Sequence, residues 1–235
     1  ALILGALGCL CMYWLHTTGV DQRMLLDFFH PGALLTWLFA AVMIAAAILL
    51  TQSLTGKLRY ERIFPGSITG AIGTAVSAVG IAITAWGELH MGSDRIITLS
   101  GWMGLISAVC LVYLAWCRYA QIRPLFWARS VVLLYLMLHL LCCYRIWSAE
   151  PELLRFVFDL AATVCFLLAS YQRLAIEVDI AQRRGYLCMN MLGVFFAMAA
   201  LPGSSDRAFL CCMAVWAMTD LCSLRNRRPR KQEEV

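Results

Sequence analysis

The chain has 235 residues, 62% of them hydrophobic and only 14% charged, with a net charge of +5. A soluble domain carries about 25% charged residues, so this composition excludes an ordinary soluble enzyme and leaves no polar half that could fold apart from a membrane. The basic excess lies in short connections and a tail, the pattern of a polytopic membrane protein and not of a nucleic-acid binder.

Eight apolar segments follow one another, at roughly 1–16, 32–54, 66–89, 97–117, 125–145, 152–173, 186–202 and 207–224, and a crossing helix needs about 20 residues. The expected fold is an all-α polytopic bundle of about eight transmembrane helices, one domain over 1–224, followed by a basic tail over 225–235. The first segment begins at Ala1, already inside an apolar run, and is short. Either a preceding stretch completes it or it forms a tilted or partial helix, and in the second case seven spans remain.

The third segment opens with Gly66-x-x-x-Gly70 and continues with Gly73-x-x-x-Ser77. Small residues let helices approach closely in lipid, so tight packing is expected there, or a seam for a membrane partner or a second copy. The connections after the second and fourth segments both read Arg-Tyr-x4-Pro, at Arg59–Pro65 and Arg118–Pro124. Each proline can open the next helix, where its missing N–H costs nothing. The seventh and eighth segments are short and meet at Pro202-Gly203, as a tight hairpin or with one of them partly re-entrant.

The charges order these segments. One set of connections holds Lys57, Arg59 and Arg62; Arg118, Arg123 and Arg129; Arg173, Arg183 and Arg184; and five basic residues of the tail, fourteen in all. The other set holds Arg23, Arg95, Arg145, Arg155 and Arg207. The positive-inside rule then places both termini in the cytoplasm and the protein in a plasma (inner) membrane. Acids on the opposite side, at Asp94, Glu150, Glu152 and Asp206, fall at helix starts, where they suit free N–H groups and the positive dipole end.

Four ionisable groups escape that explanation. Glu88 sits at a helix C-terminus, where an acid opposes the dipole, with His90 beside it. Asp159 lies two turns into the sixth segment, with Arg155 one turn earlier on the same face. His139 lies deep in the fifth segment, and Asp220 near the end of the eighth. Charges at membrane depth cost about 2.5–3.5 kcal/mol on insertion scales and so usually face a partner inside the protein. Asp220 is expected to snorkel toward the basic tail.

The binding residues expected from this reading are Glu88, His90, Arg145, Arg155 and Asp159 at one depth, with His139 deeper, in a polar pocket open to the outside. A lipid-directed enzyme would use Glu88 or Asp159 as base with His90 or His16 as acid, and a metal variant would draw on Glu88, His90 and Asp94. No catalytic motif supports either: the chain lacks H-E-x-x-H, G-x-S-x-G, a P-loop and G-x-G-x-x-G. No cofactor or resident metal is expected, and the eleven cysteines read as small buried apolar residues. The expected role is a small-solute transporter or membrane-embedded binding protein. The alternatives are a non-catalytic assembly or sensing subunit and an intramembrane enzyme acting on lipid.

Overall fold

The computed structural model describes residues 1–19, 30–52, 67–91, 94–148, 153–178, 180 and 183–223. Within them lie eight helices and no strand: α1 Leu2–Thr18, α2 Pro31–Gln52, α3 Ile68–Met91, α4 Arg95–Ala120, α5 Phe126–Trp147, α6 Leu153–Glu177, α7 Arg183–Ala200 and α8 Arg207–Ser223. Five stretches, Pro31–Gln52, Ile68–His90, Arg95–Ala120, Phe126–Trp147 and Phe156–Glu177, are long and apolar enough to cross a membrane. Helix α1 is apolar but shorter. Helices α7 and α8 have 18 and 17 residues, about 26 Å of helix at 1.5 Å per residue, and they carry Arg183, Arg184, Asn190 and Asp220.

The ends of several helices follow from local chemistry. Pro31 opens α2 where its missing N–H is harmless, and His30 Nδ1 accepts the Gly32 N–H at 3.1 Å. Ser67 Oγ accepts the Gly70 N–H at 3.2 Å and so caps α3. Helix α4 stops at Gln121, which takes the left-handed conformation (φ 59°) while its N–H bonds to the Cys117 carbonyl. Helices α7 and α8 form the hairpin expected around Pro202-Gly203, in which Ser204 Oγ accepts the Asp206 N–H at 3.0 Å.

Helices α3 to α8 pack in sequence and α8 closes the ring against α3, while α1 and α2 pack on α7. The small residues of α3 make that closure possible. A Cβ on Gly73 would run into the Thr219 side chain of α8, and one on Gly80 into Cys212. Gly70 and Gly73 are therefore occupied by packing within this chain, while Gly66 lies outside the described residues. Large apolar side chains such as Leu49, Val109, Trp116 and Trp127 are exposed all round the bundle. Such a surface suits lipid and not water. Of the eight tryptophans only Trp147 and Trp216 are buried.

One end of the ring is locked by charge. Asp220, fully buried on α8, accepts hydrogen bonds from Arg118 of α4, from Arg173 Nη1 of α6 at 2.9 Å, and from the Tyr186 hydroxyl of α7. Arg118 also donates to the Gly70 carbonyl of α3 at 3.2 Å and to the Ser223 hydroxyl. Beside this group, Arg129 of α5 donates twice to Glu177 Oε1, each bond 3.2 Å, and Arg123 donates to the Glu177 carbonyl at 2.9 Å. These contacts correct two expectations. Asp220 does not snorkel to the tail, because two guanidinium groups reach it inside the bundle. Arg118, Arg129 and Arg173 are not connection charges but buried helical side chains, between 3% and 4% exposed. The first Arg-Tyr-x4-Pro copy lies outside the described residues. In the second, Arg118 turns inward and Tyr119 outward.

Candidate functional site

The opposite end of the ring holds a second polar group, built around His139. Helical spacing puts His139 and Cys143 on one face of α5, one turn apart. That face meets the end of α3, which brings Glu88 Oε1 to 2.8 Å from His139 Nδ1. Cys143 Sγ lies 3.5 Å from Nε2 and 4.0 Å from Nδ1 of the same ring. The imidazole is 2% exposed and is walled by apolar rings, with Tyr135 stacked 5.7 Å away and Phe209 at 4.8 Å between centroids.

The α7–α8 turn delivers Asp206 to the same place. Its carboxylate, His139 and Cys143 present donor atoms that all lie within 4.8 Å of one another. Burial pushes the Asp206 carboxyl above its usual range, which His139 opposes and Glu88 reinforces. From α6 comes Asp159, 4% exposed, with Thr163 one turn on. These residues line a small cavity, together with Ser204 and Trp147. It has room for one water-sized body. Among the described residues no lysine or arginine lines it. The second carboxylate oxygen of Glu88, Oε2, is buried and has no hydrogen-bond partner among the described residues.

The six residues singled out from sequence divide. Glu88, His139 and Asp159 come together. His90 does not join them: it is exposed, stacks on Trp86 and bonds to the Trp86 carbonyl at 2.9 Å. Two positions apart on a helix point to opposite sides, so Glu88 and His90 cannot share a small site. Arg145 lies on the surface in a 2.9 Å pair with Asp94. Asp94 stands at the N-cap of α4 without making a side-chain cap bond. The structure does not bring Glu88, His90 and Asp94 together as a metal centre: Glu88 bonds to His139, His90 faces away and Asp94 pairs with Arg145. The acid–base pairing of Glu88 with His90 is replaced by Glu88 with His139, and His16 lies against Gly203. The Arg155 side chain lies outside the description. Cys143 and Asp206 were missed, one as a small buried apolar residue and the other as a helix cap. The i,i+4 spacing of His139 and Cys143, with a polar turn near the same depth, was the available signal. All eleven cysteines are free thiols.

The fold and this site define a polytopic helical membrane protein with a buried acid–imidazole–thiol group at one end of its bundle. No protein-family model matches the chain, and neither does any curated protein or any solved structure.

Proposed function

We propose that this chain is a multi-pass transporter or membrane-embedded binding protein whose solute is a small cation. The observation that carries the reading is the lining of the cavity, where Asp159 and Asp206 stand beside a thiol and an imidazole that Glu88 contacts from outside it, in a space that holds one water-sized body. Carboxylates desolvated together favour a positive charge between them. A lipid headgroup is too large for that space, so the geometry lends the lipid-enzyme reading no support.

The distribution of basic residues adds orientation to the proposal. The end locked by Arg118, Arg129 and Arg173 also carries most of the remaining Lys and Arg, so it faces the cytoplasm, both termini lie there, and the cavity opens toward the outside of a plasma membrane. A partner membrane protein or second copy at α3 would meet its outer face, at Ile72, Val79, Ile83 and Trp86, because the glycine face is filled.

The test is reconstitution of the purified protein into vesicles, with uptake of protons and of monovalent and divalent cations followed across an imposed gradient. The wild type is expected to pass or retain one of them, and Asp159→Asn to lower that at least tenfold. Vesicles indistinguishable from protein-free ones, with no cation bound at equilibrium, would remove the proposal.

A further inference from the structure

We infer that His139, Cys143 and Asp206 form a binding site for a transition-metal dication of the zinc class. The inference rests on the small-cation reading and names the cation. Three features of the geometry lead to it.

The first is the donor set. An imidazole nitrogen, a thiol sulfur and a carboxylate oxygen all lie within 4.8 Å of one another. A tetrahedral ion about 2.1 Å from nitrogen and about 2.3 Å from sulfur holds those two atoms roughly 3.6 Å apart. Cys143 Sγ and His139 Nε2 are 3.5 Å apart. Closing the site then needs rotation of the Cys143 side chain toward the Nε2 lone pair and an approach of the Asp206 carboxylate. Both protein-facing donors on α5 are one turn apart, a spacing that lets two side chains grip one ion.

The second is Glu88. Its carboxylate lies 2.8 Å from His139 Nδ1. A carboxylate accepting from one ring nitrogen holds the proton there and leaves the other nitrogen's lone pair free to bind metal. Glu88 thus acts as a positioning residue for the ligand His139, and its buried Oε2 adds negative charge next to the ion.

The third concerns the competing use of the same atoms. A thiol and an imidazole oriented by a carboxylate are also the parts of a nucleophilic triad. Sγ lies beside the ring, 4.0 Å from Nδ1, so either use needs the same rotation of the Cys143 side chain, and the size of the cavity separates them. The cavity, with room for one water-sized body, admits an ion and no acyl substrate. A mixed nitrogen, sulfur and oxygen set selects zinc, cobalt or copper over magnesium, calcium or sodium. Asp159 lines the same cavity.

The test uses the full chain in detergent, stripped with chelator and titrated with Co²⁺ as an optical reporter, then with Zn²⁺ in competition. One equivalent of Co²⁺ is expected to bind with thiolate-to-metal charge-transfer absorption, and Zn²⁺ to displace it. Cys143→Ser should abolish that absorption, whereas Cys142→Ser, which alters the neighbouring buried thiol, should keep it. Glu88→Gln should weaken the affinity about 10–100-fold while keeping the band, the behaviour of a residue that orients a ligand. Asp206→Asn provides a second ligand variant, and thermal unfolding of each protein checks that it is folded. No charge-transfer band in the wild type, or a band unchanged in Cys143→Ser, overturns the inference. If the stripped protein instead takes up protons, Na⁺ or Ca²⁺ in an Asp159-dependent way and ignores Co²⁺ and Zn²⁺, the metal site is refuted and the small-cation reading stands. If it takes up no cation at all, both fall.

Discussion

Asp220→Asn tests the charge lock at the basic end of the bundle. The wild-type carboxylate faces two buried guanidinium groups, Arg118 and Arg173, and a tyrosine hydroxyl. Asparagine keeps the shape but removes the negative charge, and its amide nitrogen becomes a donor pointed at other donors. Removing one partner of a buried ion pair costs about 3–5 kcal/mol, and here two cations lose their counter-charge at once, so the upper part of that range is expected. Arg118→Met is the informative comparison. It leaves Asp220 paired one-to-one with Arg173 at 2.9 Å, a neutral buried pair. Although it also loses bonds to the Gly70 carbonyl and Ser223, its cost should be smaller than that of Asp220→Asn, about 2–3 kcal/mol. The assay is reversible unfolding in a mixed-micelle denaturant series, or the thermal midpoint in one detergent. The reasoning is refuted if Arg118→Met destabilises more than Asp220→Asn, because the charge balance of the group would then not be what holds it. An Asp220→Asn protein within about 0.5 kcal/mol of wild type would refute it outright.

Other outcomes follow from the same packing. Gly70→Ala drives a methyl group into the Arg118 guanidinium and should cost about 1–3 kcal/mol; a double-mutant cycle with Asp220→Asn should be strongly non-additive, since both act through Arg118. Gly87, on the same helix, meets nothing within 4 Å of an added Cβ, so Gly87→Ala should leave the unfolding midpoint unchanged or raise it by up to about 1 kcal/mol. Glu177→Gln strips the carboxylate from Arg129 and should cost about 3 kcal/mol by the same unfolding assay. Gln121→Gly relieves a left-handed non-glycine residue at the end of α4 and should stabilise by about 1 kcal/mol.

The bundle was legible because membrane burial writes itself into composition. Runs of apolar residues gave the eight helices close to their observed limits, and the proline and glycine at Pro202-Gly203 gave the hairpin. The charged residues were harder to read. Arg118 and Arg173 look like topogenic charges at the foot of a helix, and sequence offers no way to see that Asp220 reaches both from another helix. Glu88 and His139 stood out separately, as an acid against the dipole and an imidazole at depth, but their pairing depends on how α3 and α5 rotate against each other. Cys143 and Asp206 carried no local anomaly: a cysteine in an apolar helix and an aspartate before a helix are the ordinary occupants of those places. His90 and Arg145 shared the depth of the site but faced away from it, because depth is set by position along a helix and facing by the 100° step between neighbours.

The two polar ends meet the cost of buried charge in different ways, and that contrast bears on function. At the basic end each buried acid is in direct contact with arginine: Asp220 with Arg118 and Arg173, Glu177 with Arg129. These ionic contacts join α4, α5, α6 and α8, and the Tyr186 hydroxyl adds α7. At the other end Glu88, Asp159 and Asp206 gather around a histidine and a thiol beside an unfilled space, and no lysine or arginine among the described residues lines it. His139 is hydrogen-bonded to one of these carboxylates, and the cation proposed above would add positive charge in the cavity. The same ring of helices therefore has one end closed by its own ion pairs and one end where carboxylates, an imidazole and a thiol meet at a small cavity.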